Sequence, residues 1–189
     1  LQFEKINPDV IMLAEGFAKS SQRKAFDIDY MFGWYKALQK VYSGTAPASE
    51  VKTAWLDAKG KGLPGARFIR YLESHDTTCK TLDWKRPNKI WGPDLVDTAL
   101  VLNFTVDGVP WLYNGKEVAD TARHKNDGTE GSLGIEWANG ETPRGKERFE
   151  LCQKLCELRH TQKTLTHGDL TWLDNSSPDE VLSFMRATD

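Results

Sequence analysis

Three short apolar runs in this chain each end in a polar cluster, and those clusters hold the residues that could do chemistry. Phe68-Ile-Arg-Tyr-Leu-Glu-Ser-His-Asp76 stops abruptly at Glu73, Ser74, His75 and Asp76. Val10-Ile-Met-Leu-Ala-Glu15 stops at a single carboxylate. Val109-Pro-Trp-Leu-Tyr113 runs into Asn114-Gly-Lys-Glu117. A carboxylate that directly follows a buried strand sits at the strand's C-terminal mouth. Partial burial there raises a carboxyl pKa and makes it a usable general acid near neutral pH, which is the expectation for Glu15. A carboxylate beside an imidazole, as in His75-Asp76, can hold sugar hydroxyls by charge-assisted hydrogen bonds. Two strand-end carboxylates facing one pocket are what acid-catalysed glycosidic cleavage needs. Gly115 permits backbone geometry that side chains forbid, and Glu117 is read as structural, pairing with an Arg or Lys near the rim.

The elements that would position these groups follow from pattern. Residues 10–14 are a continuous apolar run without alternation, as in a strand of a parallel sheet covered on both faces, and Arg67 to Leu72 reads as another strand. Residues 25–29 and 109–113 are further strand candidates. Helical spacing spans residues 30–42, with Met31, Trp34, Tyr35, Leu38, Val41 and Tyr42 on one stripe. Pro47 opens a second helix through Leu56. Asp94 is the expected N-cap of a third helix carrying Leu95, Val96, Ala99, Leu100, Leu102 and Phe104. Arg86-Pro87 reads as a break, and residues 114–143 as a long irregular loop. A fourth helix carries Phe149, Leu151, Cys152, Leu155, Cys156 and Leu158, with both cysteines expected in the core. Residues 170–173 and 181–185 flank Asn175-Ser-Ser-Pro178 as an antiparallel hairpin. Strands alternating with helices give an α/β fold with a parallel sheet, and the polar strand ends match the face where (β/α)8 barrels keep their chemistry.

Composition narrows the function classes. A net charge of -2 offers no basic surface for nucleic acid or anionic membrane. No apolar run reaches the roughly 20 residues of a membrane span. Three cysteines without a CxxC pair are not a disulfide framework, and the four histidines lack zinc spacing, so no metal site is expected within this chain. Seven Trp, eight Phe and five Tyr are a generous allotment, of which several are expected in the core and two or three in a site, stacking on pyranose rings. Tyr30, Trp34, Trp84 and Trp111 are the candidates; Trp84, in a loop after Asp76, ranks above Trp111, whose strand position favours the core.

In order and spacing these segments resemble the C-terminal half of an alpha-amylase family catalytic domain, glycoside hydrolase family 13. The run ending at Glu15-Gly-Phe resembles that family's fifth-strand motif. Phe68 to Asp76 with Thr77 resembles the seventh-strand motif, an apolar strand ending in Asn-His-Asp, here with Ser74 for the Asn. Gly108-Val-Pro-Trp-Leu-Tyr-Asn-Gly-Lys-Glu117 resembles the eighth-strand segment. Residues 148–159 followed by Leu165-Thr-His-Gly168 resemble the last barrel helix and the lead into a β domain. The resemblance implies an α/β fold: a partial TIM (β/α)8 barrel, strands five to eight with their helices, in residues 1–166. The beginning of an antiparallel β domain would follow in residues 167–189.

The resemblance also implies roles. Glu15 would be the proton donor, Asp76 the carboxylate that binds sugar hydroxyls and stabilises the oxocarbenium-like transition state, and His75 a hydrogen-bonding partner of the sugar. Trp84 and Tyr30 would complete the substrate contacts. The substrate would be a starch-like alpha-glucan or oligosaccharide, cleaved by a retaining mechanism or passed on by transglycosylation. The family's nucleophile Asp and its companion Arg lie on the fourth strand, which this chain does not contain. Leu1 is not an initiator Met, and the chain reads as a piece of something longer. The expectation is therefore a chain inactive alone, whose partner is the N-terminal half of the same barrel, with no cofactor within these residues and any calcium held by the longer protein. The alternative is a catalytically inactive barrel serving as a binding or scaffold subunit, against which the joint presence of Glu15, His75 and Asp76 argues.

Overall fold

The computed structural model of the chain describes residues 3–16, 25–61, 67–77, 85–122 and 134–188. Four strands, β1 (Leu13–Ala14), β2 (Ile28–Tyr30), β3 (Arg67–Arg70) and β4 (Val109–Pro110), form one parallel sheet in chain order. Leu13 pairs with Ile28, Tyr30 with Ile69, and Arg70 with Pro110, so the strands' C-terminal ends lie along one rim. Two helices, α1 (Phe32–Tyr42) and α2 (Ser49–Lys61), connect β2 to β3. A short helix α3 (Pro87–Ile90) and the longer α4 (Pro93–Thr105) precede β4. Helix α5 (Pro143–Thr161) and the short α6 (Lys163–His167) lead into an antiparallel hairpin of β5 (Asp169–Leu173) and β6 (Ser183–Ala187). Among the described residues no helix is long and apolar enough to cross a membrane.

The period-2 geometry of β3 explains how the sheet is covered on both sides. Phe68, with Leu72 beyond the strand, faces the main core, where Trp34 and Leu38 of α1, Val51 and Trp55 of α2, and Val96, Leu100 and Phe104 of α4 converge. Ile69 and Tyr71 face the other way, into a smaller aromatic cluster with Tyr35, Tyr30 and Trp111. Arg70 shares the main-core face and is fully buried because it is fully satisfied. It donates to Asp107 Oδ1 at 2.8 Å and to the Asp107 carbonyl at 3.0 Å, and its guanidinium lies 4.9 Å from the Trp34 ring centre. Removing a side chain such as Leu38 or Leu100 from this packed layer costs about 2–5 kcal/mol. Gly108, with φ at +96°, turns the chain into β4; a Cβ there would stand 2.5 Å from the Phe68 carbonyl oxygen.

The hairpin lays one face, Leu170, Trp172, Leu182 and Phe184, on the same main core. The Trp172 ring meets Trp55 edge-on at 5.9 Å. Arg186 of β6 donates to the Thr105 carbonyl at 3.0 Å, capping the end of α4.

Several expectations are corrected here. The run at residues 10–14 is not covered on both faces: only Leu13–Ala14 pair as a strand, and Ile11 is 69% and Leu13 37% exposed. β1 is an edge of the four-stranded sheet, so among the described residues no strand pairs with its far side. The cap of α4 is Gly92, not Asp94, because Pro93 fits the first helical position and places Asp94 in the first turn. Pro87 opens α3 rather than breaking the chain, for the same reason. The irregular stretch after β4 contains two 3-10 turns, Lys116–Val118 and Trp137–Glu141, while residues 123–133 lie outside the described set. Of the two cysteines on α5, Cys152 is buried and Cys156 is exposed; the buried stripe runs through Gly145, Arg148, Cys152 and Leu155 and leaves Cys156 just beyond its edge.

Candidate active site

The rim of the parallel sheet gathers residues that are far apart in sequence. Glu15 follows β1 directly, Tyr30 ends β2, and the segment from Tyr71 to Thr77 continues from β3. A carboxylate oxygen of Glu15, a ring nitrogen of His75 and a carboxylate oxygen of Asp76 all lie within 4.8 Å of one another. His75 Nε2 stands 3.5 Å from Asp76 Oδ1. The local turn that presents His75 and Asp76 is held by reciprocal bonds at its ends. The Ser74 backbone N–H donates to Thr77 Oγ1 at 2.7 Å, and the Thr77 hydroxyl donates back to the Ser74 carbonyl at 3.2 Å. Short hydroxyl side chains at both ends make such a turn self-sufficient.

An aromatic group adjoins the three donors. The Tyr30 ring centre lies 5.5 Å from Phe32, 5.6 Å from Tyr71 and 5.7 Å from Trp111. Burial pushes the Tyr30 phenol pKa up, and the carboxylates of Glu15 and Asp76 push it further, which places this hydroxyl in the field of both acids. Tyr71 is shifted up by the same kinds of neighbour, burial first.

A second set of charges begins at Glu73, two residues before His75, and this one is buried. Arg86 forms a fork to Glu73, with Nη2 donating to Oε1 at 2.7 Å and Nε to Oε2 at 3.3 Å. Its Nη1 donates to Asp120 Oδ2 at 2.8 Å, and Nη2 also reaches the Asn114 carbonyl at 2.7 Å. Lys116 Nζ lies 2.5 Å from Glu73 Oε1. Burial pushes the Glu73 carboxyl up, but Lys116 and Arg86 outweigh it and hold the pKa down at about 2. Burial draws the Lys116 ammonium down to about 8 against the pull of Glu73.

No protein-family model matches the sequence, and no curated protein matches it. Solved structures do. A noncanonic maltogenic alpha-amylase from Thermotoga neapolitana matches with a TM-score of 0.76 at 25% identity, over 97% of this chain and 41% of that one. A cyclomaltodextrinase matches at 0.76 and 21% identity, over 98% of this chain and 31% of that one. A debranching enzyme from Nostoc punctiforme matches at 0.73 and 20% identity, over 98% and 40%. The α/β fold is similar to part of the fold of these alpha-amylase family enzymes. The chain spans less than half the length of each of these three structures.

Within this alpha-amylase-type fold, the residues expected at the site fall into three groups. Glu15, His75, Asp76 and Tyr30 converge. Trp84 lies outside the described residues. Trp34 does not reach the rim: it is fully buried in the main core and donates from Nε1 to Asn103 Oδ1 at 2.9 Å. Trp111 lies just past β4, half-buried against the Tyr30 cluster. The partial burial expected of Glu15 is absent, because β1 is an edge strand and the side chain is exposed. Among the described residues the ion pairs of this turn fall on Lys116 and, through Arg86, Asp120 rather than on Glu117. Helix-like 3-10 winding at residues 116–118 turns Lys116 inward and leaves Glu117 only partly covered.

Sequence reading missed the buried quartet of Glu73, Arg86, Lys116 and Asp120. Glu73 inside an otherwise apolar strand end was the available signal, since a carboxylate there demands a cation. As for metals, two carboxylates and one imidazole supply fewer donors than the roughly six to eight oxygens calcium takes, so the exposed cluster does not fit that ion by itself.

Proposed function

We propose that this chain is the acid-bearing half, strands five to eight, of an alpha-amylase-type glycoside hydrolase acting on alpha-glucosidic bonds of starch-like saccharides. The observation that carries this reading is the convergence of Glu15, His75 and Asp76 at one rim of the sheet. Glu15 protonates the departing glycosidic oxygen and later takes a proton from the incoming water or sugar. Asp76 and His75 hold ring hydroxyls, and the Asp76 charge favours the oxocarbenium-like transition state. A retaining site places its two working carboxyls roughly 5–5.5 Å apart. In this reading the nucleophile comes from a segment outside these 189 residues, from the other half of the same barrel. Residues 1–166 form the barrel part and residues 167–189 open a β domain. Tyr30, with its ring in the cluster beside the acids, and Trp84 supply stacking faces for the sugar.

Exposure of Glu15 supports the same division. An acid that needs partial burial gains it when the open edge at β1 is covered by further strands. The test is hydrolysis of soluble maltodextrin by the longer polypeptide containing this chain. Glu15→Gln is expected to lower kcat by about 10²- to 10⁴-fold, and Asp76→Asn to do likewise. The 189-residue chain alone is expected to be inactive; starch hydrolysis by it, abolished by Glu15→Gln, would overturn the placement of the nucleophile elsewhere.

A further inference from the structure

Strand β3 leaves the sheet at Arg70, yet the cluster residues His75 and Asp76 lie five and six residues further on. The last ladder bond to a neighbouring segment is from the Trp111 backbone N–H to the Arg70 carbonyl, at 2.8 Å. Beyond it, the described bonds are the Ser74–Thr77 pair, which shapes the turn internally, and the ion pairs of Glu73, which tie that turn to the rest of the molecule. Glu73, 1% exposed, is the buried charged anchor in that stretch.

The quartet around Glu73 ties three segments together: the end of β3, the residue before α3, and the turn after β4. It holds two charges of each sign, all at 1% exposure or less. Buried ion pairs are poor contributors to stability, since well-packed apolar residues of the same volume do as well or better. What a bidentate guanidinium does supply is fixed orientation. The turn after β4 is shaped around that group. Gly115 takes φ +83°, and a Cβ there would stand 2.6 Å from Arg86 Nη1. A second tier anchors the quartet to the helices. Asn88 donates to the Asp120 carbonyl at 3.1 Å, and fully buried Arg148 of α5 donates to Asn88 Oδ1 at 3.0 Å and to the Lys116 carbonyl at 3.4 Å. Arg148 also pairs with Asp97 of α4.

We infer that the buried quartet of Glu73, Arg86, Lys116 and Asp120 is a positioning device, which sets His75 and Asp76 at their distance from Glu15. Glu73 is its positioning residue for the site, acting through the two residues that follow it closely in sequence. This rests on the glycosidase reading above. It requires that loosening Glu73 displace Asp76 without removing any group that touches the sugar.

The experiment uses the longer polypeptide and soluble maltodextrin, with circular dichroism confirming that each variant is folded at the assay temperature. Glu73→Gln removes the charge and keeps the shape. The double variant Glu73→Gln with Lys116→Met removes one charge of each sign and leaves Arg86 paired with Asp120. Both are expected to lower kcat by about 10- to 100-fold, the cost of misplacing a catalytic group by about an ångström, with KM within about threefold. A folded double variant with wild-type kcat overturns the inference, because a purely structural quartet would move the melting midpoint alone. If the charge-removing variants do not fold, Lys116→Arg, which keeps the charge and changes its geometry, is judged by the same split of kcat from KM. Glu15→Gln and Asp76→Asn run alongside. If those two leave activity unchanged, the glycosidase reading falls and the inference with it. If they abolish activity while the quartet variants retain full kcat, only the positioning role falls.

Discussion

Glu73 and Asp76 are three residues apart on the same strand end, yet they live in opposite environments. Asp76 is exposed at the rim, within reach of Glu15 and His75. Glu73 is buried and gripped by Arg86 and Lys116 at 2.7 and 2.5 Å. A carboxylate that is buried and paired with two buried cations is out of a ligand's reach and becomes part of the scaffold. A carboxylate facing solvent beside an imidazole and an aromatic group keeps its capacity to bind. The same residue type is thus divided between holding and reacting by what surrounds it, within a single turn of chain.

Four measurements break or sharpen that contrast, in descending order of effect. The first concerns the exposed side. Glu15→Gln should remove about 10²- to 10⁴-fold of the proposed hydrolysis while shifting stability by under about 0.5 kcal/mol, as expected of an exposed position. A large fall in the unfolding midpoint would mean that Glu15 belongs with the scaffold.

On the buried side the signs invert. Arg86→Met leaves Glu73 and Asp120 with one cation between them and should cost about 3–5 kcal/mol in urea unfolding. A loss below 1 kcal/mol would show that the pairs are solvated in practice.

Acid titration gives the third test. The Glu73 pKa is depressed from 4.5 to about 2, burial being outweighed by Lys116 and Arg86. A depressed carboxyl contributes stability that is fully present above its unfolded value and lost as pH falls through the folded one. The window is therefore about pH 4.5 down to 2, with a loss of about 3 kcal/mol. Glu73→Gln should flatten that part of the stability curve; an unchanged slope would assign the acid sensitivity to other carboxyls.

The smallest effect is a control for distance alone. Lys40 and Glu50 form an ion pair of 2.7 Å, the same length as Arg86 to Glu73, but with side chains 56% and 32% exposed. Lys40→Ala should cost under about 1 kcal/mol. Equal costs for Lys40→Ala and Arg86→Met would mean that burial does not separate the two classes of pair.

Much of this was legible in local pattern. The helical stripe from Trp34 to Tyr42 expresses a backbone period that neighbouring residues declare together, and the apolar runs before Glu15 and Asp76 and the hairpin around Asn175 show in local composition and turn residues. The polar stops at Glu15 and His75-Asp76 were visible for the same reason, and parallel strands necessarily bring their C-terminal ends to one rim. Other features were not written locally. Trp34 carries the same amphipathic ring whether it stacks on a sugar or bonds Asn103, 69 residues away. Cys152 and Cys156 differ only in which side of a core-facing stripe they fall.

The chain by itself determined its alternation of strands and helices and the identity of the groups at the strand ends. Those follow from propensity, periodicity and turn chemistry within a few residues. Only the tertiary structure decided that Glu15 stands exposed at a sheet edge while Glu73 is buried. It alone paired Arg86 with Glu73 across 13 residues and with Asp120 across 34. Pairings of that kind depend on sheet register and helix packing summed over the whole molecule, and the electrostatics of each carboxylate is set by whichever distant cation that sum delivers.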